Sequence, residues 1–146
     1  MKLTTCDKGD IAVAMVIADL TSKGIKISLP ISAHLPFDLI AISENYTLSR
    51  VQIKYCDGDE KIVLSTRTIS MSSIKIINHV NFEYVDAYAA YSPKTNKVYY
   101  VNKYSLIGKS TGLTLRLNKS NRNNSKINYA DKFLDVNNIW LGGRVV

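Results

Sequence analysis

Residues 35–56, LPFDLIAISENYTLSRVQIKYC, alternate apolar and polar positions in two short arms about a polar centre, SENYT, and so predict a β-hairpin. Upstream, IAVAMVIADL is apolar on nearly every side. Asp7 followed by Asp10 resembles a capping box and Gly24 a stop signal, so the pattern predicts a covered helix from Asp7 to about Lys23. IKISLP predicts a short strand stopped by Pro30, and KIVLSTRT a further strand after the hairpin. VDAYAAYS and KVYYVN predict a second strand pair about the turn PKTN, with Tyr84, Asp86 and Tyr88 alternating onto one sheet face. LTLRL predicts a short strand, SKINYADKFLD a C-terminal helix, and Trp140 an anchor for the tail on the core or on a neighbouring subunit. The resulting class is α+β: an N-terminal helix packed on a central mixed, largely antiparallel sheet, in a single domain over residues 1–146.

Composition supports a folded domain. Hydrophobic residues make up 46% and charged residues 21% of 146 residues, an ordinary globular balance. The longest apolar run, IAVAMVIA, falls well short of the ~20 residues of a membrane span. MKLTTCDKGD lacks the apolar core of a signal peptide, so an intracellular, cytoplasmic setting with no membrane contact is expected. Cys6 and Cys56 are too few for a disulfide framework or a four-ligand zinc site.

Charge narrows the partner. Nineteen Lys and Arg against 12 Asp and Glu give a net charge of +7, which favours a polyanion because each cation near a phosphate releases counterions. Composition alone leaves a merely soluble basic protein equally open. Position adds to it: Arg116, Lys119, Arg122 and Lys126 lie in RLNKSNRNNSK, which holds no acid and predicts a basic loop. Together with Arg50, Arg67 and Lys75 these are the expected contacts to such a polyanion.

The hairpin supplies candidate chemistry. With its turn centred on Asn45, Asp38 faces Gln52 and Ile40 faces Arg50, while Gln52 and Lys54 share one face of their strand. Directly opposed Cβ atoms lie about 4.5–5.5 Å apart, so a carboxylate, an amide and an ammonium converge. A carboxylate and an amide oxygen are hard ligands suited to Mg²⁺, and a lysine beside them can stabilise a reacting phosphate. The spacing alone is a weak pattern, since most such triplets are solvent-facing polar residues. Other chemistries find less support. No GxSxG elbow, Walker loop or GxGxxG occurs, so neither a serine hydrolase nor a nucleotide cofactor is expected. His79 in INHVN lacks a second histidine nearby, His34 being far upstream, and reads as a polar loop or strand-edge residue.

PFD at 36–38 followed by RVQIKY at 50–55 is similar to the bipartite motif of the PD-(D/E)xK nucleases, with Gln52 in the place of the usual second acid. KGDIA, ADLTSKGIKISLP and YVDAYAAYSPKTNKVYYV resemble one branch, the group I intron homing endonucleases of cyanobacterial type, over about Lys8 to Tyr104. The resemblance implies a restriction-endonuclease-like core, Mg²⁺-dependent double-strand cleavage at a long target site, and a homo-oligomer (dimer or tetramer) that cuts both strands. It implies Asp38, Gln52 and Lys54 as catalytic residues, the first two as metal ligands. One position departs: the family segment resembling KGDIAEA presents a helix glutamate to the metal, and this chain has Val13 in KGDIAVA. Asp10, on roughly the same helical face, is the one nearby acid able to substitute, although a carboxylate near a helix N-terminus is already favoured by the macrodipole. Three readings stay open: an endonuclease attenuated or inactivated at Val13, a catalytically dead DNA-binding protein on the same scaffold, and a Holliday-junction-resolvase-like nuclease.

Overall fold

The computed structural model describes residues 1–65, 67–71, 75–79, 82–109, 111–119 and 126–140. Helix α1, Thr5–Ser22, opens earlier than the expected Asp7. Thr4 is its N-cap: the Thr4 hydroxyl accepts the Asp7 N–H at 3.1 Å, and the Asp7 carboxylate accepts the Thr4 N–H at 2.7 Å. The capping box is therefore Thr4–Asp7 rather than Asp7–Asp10, because the residue that must leave the helical region is Thr4, extended at φ −78° and ψ 169°. The helix is not covered all round either. Ala12, Val16 and Leu20 bury one stripe, while Ala14 and Ala18 face water, where a methyl costs little. Gly24, at φ +80°, then turns the chain into the sheet.

The strands are β1 Lys26–Ser28, β2 Leu39–Ile42, β3 Leu48–Tyr55, β4 Lys61–Ser65 and β5 Arg67–Met71. They continue with β6 Lys75–His79, β7 Ala87–Ser92, β8 Lys97–Asn102 and β9 Gly112–Arg116. A five-stranded sheet runs in the order β1-β2-β3-β7-β8. Its β3–β7 pair is parallel and the other neighbours are antiparallel, the mixed and largely antiparallel sheet expected. Parallel pairs need cover on both faces, and β7 is buried at every position of AYAAYS.

Two apolar layers supply that cover. On one face, Ala12, Val16 and Leu20 of α1 pack on Leu39, Ala41, Val51, Ile53 and Tyr100. On the other, Ile62, Leu64, Leu113 and Leu115 from β4 and β9 pack on Tyr88, Ala90, Tyr99 and Val101. Each fully buried leucine or isoleucine contributes about 1.5–3 kcal/mol relative to an exposed one. The molecule is thus a helix, a sheet and a two-stranded ribbon stacked in that order.

Three expectations are corrected. KIVLSTRT is two strands with different partners: β4 pairs with β9, and β5 with β6, a strand the sequence pattern did not mark. SKINYADKFLD forms no α-helix; the described part contains a 3₁₀ turn at Ala130–Phe133, and a second follows at Val136–Ile139, where Asp135 caps the Asn137 N–H. Tyr84 is exposed and stands outside β7, whereas Asp86 extends the strand, its N–H donating to the Arg50 carbonyl and its carbonyl accepting the Lys103 N–H, so Asp86 shares the ribbon-side face with Tyr88 and Tyr84 does not. Trp140 anchors the tail on the chain's own helix-side core, where it is buried.

Candidate functional site

The β2–β3 hairpin has the register expected about Asn45, pairing Leu39 with Val51, Ile40 with Arg50, Ala41 with Ser49 and Ile42 with Leu48. The ladder ends at Leu39, and Asp38 doubles with it against Val51 instead of continuing the register to the expected Gln52 pair. The Asp38 N–H donates to the Val51 carbonyl at 2.9 Å, and its carboxylate Oδ2 accepts the Ile53 N–H at 2.6 Å. The carboxylate therefore takes the place of the carbonyl that a longer β2 would offer, in the plane of the sheet. Because β1 pairs no further along β2 than Ile40, Asp38 occupies a sheet edge that borders both faces.

Alternation along β3 sorts its side chains. Ser49, Val51 and Ile53 are buried, the latter two toward α1, which leaves Arg50, Gln52 and Lys54 on the ribbon side. Gln52 is half-buried beside Tyr88, and Lys54 is exposed beside Ala90. Among the described residues, neither the Gln52 amide nor the Lys54 ammonium makes a hydrogen bond or ion pair within the chain. Val13 packs half-buried into the helix-side cluster, so it lies across the sheet from Gln52 and Lys54. Asp10 is exposed on the outside of α1. The helix N-terminus is held to the end of β3: Lys8 pairs with Asp57 at 2.7 Å and lies over the Tyr55 ring at 5.6 Å, and Tyr55 meets Tyr91 edge-on. Nearby, burial pushes the Cys56 thiol up to about 11 despite the opposing Lys54 charge, which leaves it an unreactive thiol at neutral pH.

Arg50 has a different fate from the one expected. Its Nε and Nη2 grip the Asp86 carboxylate at 2.9 Å each, and its backbone N–H donates to the same group at 2.8 Å. Lys103 stands 3.8 Å from Asp86 and donates to the Phe82 carbonyl at 3.1 Å. Burial raises the Asp86 pKa, but the Arg50 hydrogen bonds and the two cations outweigh it and hold the carboxyl below its ordinary value. Arg50 is thus a structural cation committed within the chain rather than one free for a phosphate. The signal in the sequence was Asp86 itself, a lone acid in the apolar run YVDAYAAY, which calls for a buried partner.

The other expected cations are spread. Arg116 is half-buried in β9, and Lys119 and Lys126 are exposed on either side of residues 120–125. Arg122 lies outside the described residues. The backbones of Arg67 and Lys75 fall in β5 and β6, where Arg67 pairs with His79 and Lys75 with Met71.

As a metal site, the donor set is sparse. Among the described residues no group of three or more His, Cys, Asp or Glu gathers, so a transition-metal cage does not fit. One carboxylate oxygen and one amide carbonyl do fit Mg²⁺, which takes one or two protein carboxylates and completes its octahedron with water and substrate phosphate.

Comparison with known proteins bears on the family and the fold. The sequence profile of the PD-(D/E)XK endonucleases matches residues 3–136. Among solved structures, that of a bacterial homing endonuclease, I-Ssp6803I, superposes with a TM-score of 0.69 at 20% identity, over 85% of this chain and 84% of that one. At that identity the likeness is one of fold, and it accords with a restriction-endonuclease-like arrangement of one helix on a mixed sheet. No curated protein sequence matches significantly.

Proposed function

Because the chain belongs to the PD-(D/E)XK endonuclease family, we propose that it is a site-specific DNA homing endonuclease, hydrolysing phosphodiester bonds in double-stranded DNA with Mg²⁺. The observation that carries this reading is the hairpin edge where the Asp38 carboxylate is held by the Ile53 N–H, between Gln52 and the unpaired Lys54, whose side chains share one strand face. Asp38 and Gln52 would hold the cation, which supplies charge neutralisation at the phosphate and a more acidic water. The Ile53 N–H fixes Oδ2 of Asp38, so Oδ1 is the oxygen left to face the substrate. Lys54, solvent-facing and unpaired, reaches a non-bridging oxygen and stabilises charge that builds in the pentacovalent transition state. Arg116, Lys119, Lys126, Arg67 and Lys75 are the expected backbone contacts, and residues 1–146 act as one nuclease domain. Cutting both strands of a duplex calls for a second copy of the chain, as a dimer or tetramer, and DNA as substrate calls for a cytoplasmic setting.

Val13 supports a second reading, a DNA-binding protein on this scaffold whose cleavage is attenuated or lost. Valine binds no metal and polarises no water, so the site keeps Asp38 as its one carboxylate. Incubation with a plasmid carrying the intron-less host-gene site, with and without Mg²⁺, separates the two. Mg²⁺-dependent linear product supports the endonuclease; retention of uncut plasmid in a gel-shift supports the binding protein. Neither cleavage nor retention rejects both.

A further inference from the structure

The β4–β9 ribbon shields the same face of the central sheet on which Gln52 and Lys54 lie. Its inner side is apolar, through Ile62, Leu64, Leu113 and Leu115. Its outer side carries a cross-strand pair of like charge: Lys61 stands directly opposite Arg116. Such a pair is destabilising in the free protein. Neither cation has an ion-pair partner among the described residues, and Arg116 is half-buried beside the exposed Lys61. The nearest acids do not relieve it. Asp57 pairs with Lys8 and Asp59 with Lys94, while strand alternation turns Glu60 away from the Lys61 side. The next positions outward are Val63, half exposed, opposite Thr114, and then Ser65 opposite Gly112.

Gly112 keeps this outer face low. At φ +131° it lets β9 approach so closely that a Cβ there would collide with the Leu64 carbonyl. The surroundings are single-signed as well: no acidic residue occurs from Lys61 to Phe82, or from Ala87 to Ala130. A two-stranded ribbon of this width fits the major groove of B-DNA, and a paired ammonium and guanidinium fit one phosphate between them. The Lys61–Arg116 end is also the end that residues 56–60 join to β3, next to Lys54.

Building on the nuclease reading, we infer that the outer face of the β4–β9 ribbon docks on duplex DNA beside the scissile phosphate. Lys61 and Arg116 clamp one backbone phosphate, and Val63 and Thr114 lie against base edges. The clamped phosphate supplies the acceptor that the like-charged pair lacks, so this repulsion in the free protein becomes attraction in the complex.

The test is binding of a fluorescently labelled random-sequence duplex by anisotropy, without divalent cation, over a series of KCl concentrations, alongside thermal unfolding. Lys61→Glu should weaken binding on the order of tenfold and lower the salt slope by about one. Its thermal midpoint should be equal to or above wild type, since an ion pair with Arg116 replaces a repulsion. Lys61→Arg should bind as wild type. If wild type binds and Lys61→Glu binds equally with an unchanged slope, the ribbon is not the docking surface and the nuclease reading is untouched. A loss of affinity that tracks a lowered midpoint, with Lys61→Gln binding as wild type, also overturns the inference. Failure of wild type to bind any duplex rejects the nuclease reading and this inference together.

Discussion

At the start of β3, Arg50 is gripped by Asp86 with Lys103 alongside; two and four residues on, Gln52 and Lys54 share its strand face and stand by Asp38 without partners of their own. Both constellations place a carboxylate beside a cation on a sheet built from the same strands. The first is closed: each Asp86 oxygen has a donor, and the acid is buried. The second is open, at an edge where β2 ends early and a carboxylate stands in for a main-chain carbonyl. A closed network specifies packing, because breaking it strands a charge inside. An open one costs little to leave exposed and can be completed by a substrate.

That contrast predicts opposite responses to similar substitutions. The largest expected effect is at the open end. Asp38→Ala should lower cleavage by a thousandfold or more, about 4 kcal/mol of barrier, while costing only ~1 kcal/mol of stability for one half-buried hydrogen bond. Plasmid cleavage rates and urea denaturation, measured on the same preparation, check both halves. A variant that unfolds instead would show that Asp38 is structural and erase the distinction.

At the closed end the effect should fall on stability. Asp86→Asn leaves Arg50 and Lys103 facing a neutral group, and a loss of about 3 kcal/mol in urea denaturation is expected. Cleavage per folded molecule should be unchanged; a specific rate defect in fully folded protein would mean that Asp86 belongs to the reaction.

Val13 tests how far the open site has been weakened. Val13→Glu should raise cleavage on the order of a hundredfold, close to 3 kcal/mol, and leave DNA affinity equal or slightly weaker. Lys54→Ala in that background should remove the gain. An unchanged rate would assign Val13 to the helix-side core alone, as its packing on that face allows.

The smallest effect is in acid. Because the Asp86 pKa is depressed in the folded state below its ordinary 3.8, its contribution is present above that value and is lost as pH falls through the lower folded value. Wild type should therefore lose stability below about pH 4 more steeply than Asp86→Asn. Urea midpoints taken between neutral and acid pH check the slope, and parallel curves for the two proteins would remove Asp86 from the linkage.

The open end was legible because its geometry is local. Period-2 alternation and a short polar turn set which residues of one hairpin face each other, so Ile40 opposite Arg50 follows from the order of residues about Asn45, while Asp38 leaves that register to reach Val51 and Ile53. The closed end was not. Arg50 alternates onto the same face as Gln52 and Lys54, and nothing in RVQIKY distinguishes a committed guanidinium from a free ammonium. The difference lies in Asp86 and Lys103, which the crossover from β3 to β7 and the β7–β8 hairpin bring alongside from far along the chain.

Similar limits held elsewhere. The box that opens α1 was misread by one candidate cap, because Thr4 and Asp7 both carry acceptors and only the backbone at Thr4 leaves the helical region. The C-terminal segment has helical residues at plausible spacing, yet its short turns follow the apolar surface of the core, where Ala130, Ile139 and Trp140 are buried.

The sequence by itself determined the α+β class, the hairpin and its register from Leu39 to Val51, and the likeness to its family. Each rests on neighbours in the chain, whose side-chain directions are set by backbone geometry. Tertiary structure decided which strands pair across long separations, so it alone set β4 against β9, closed Arg50 onto Asp86, and placed Lys61 opposite Arg116. The physical reason is that long-range pairing follows from which apolar faces bury each other, and residues far apart in sequence carry no local mark of the partner they will meet.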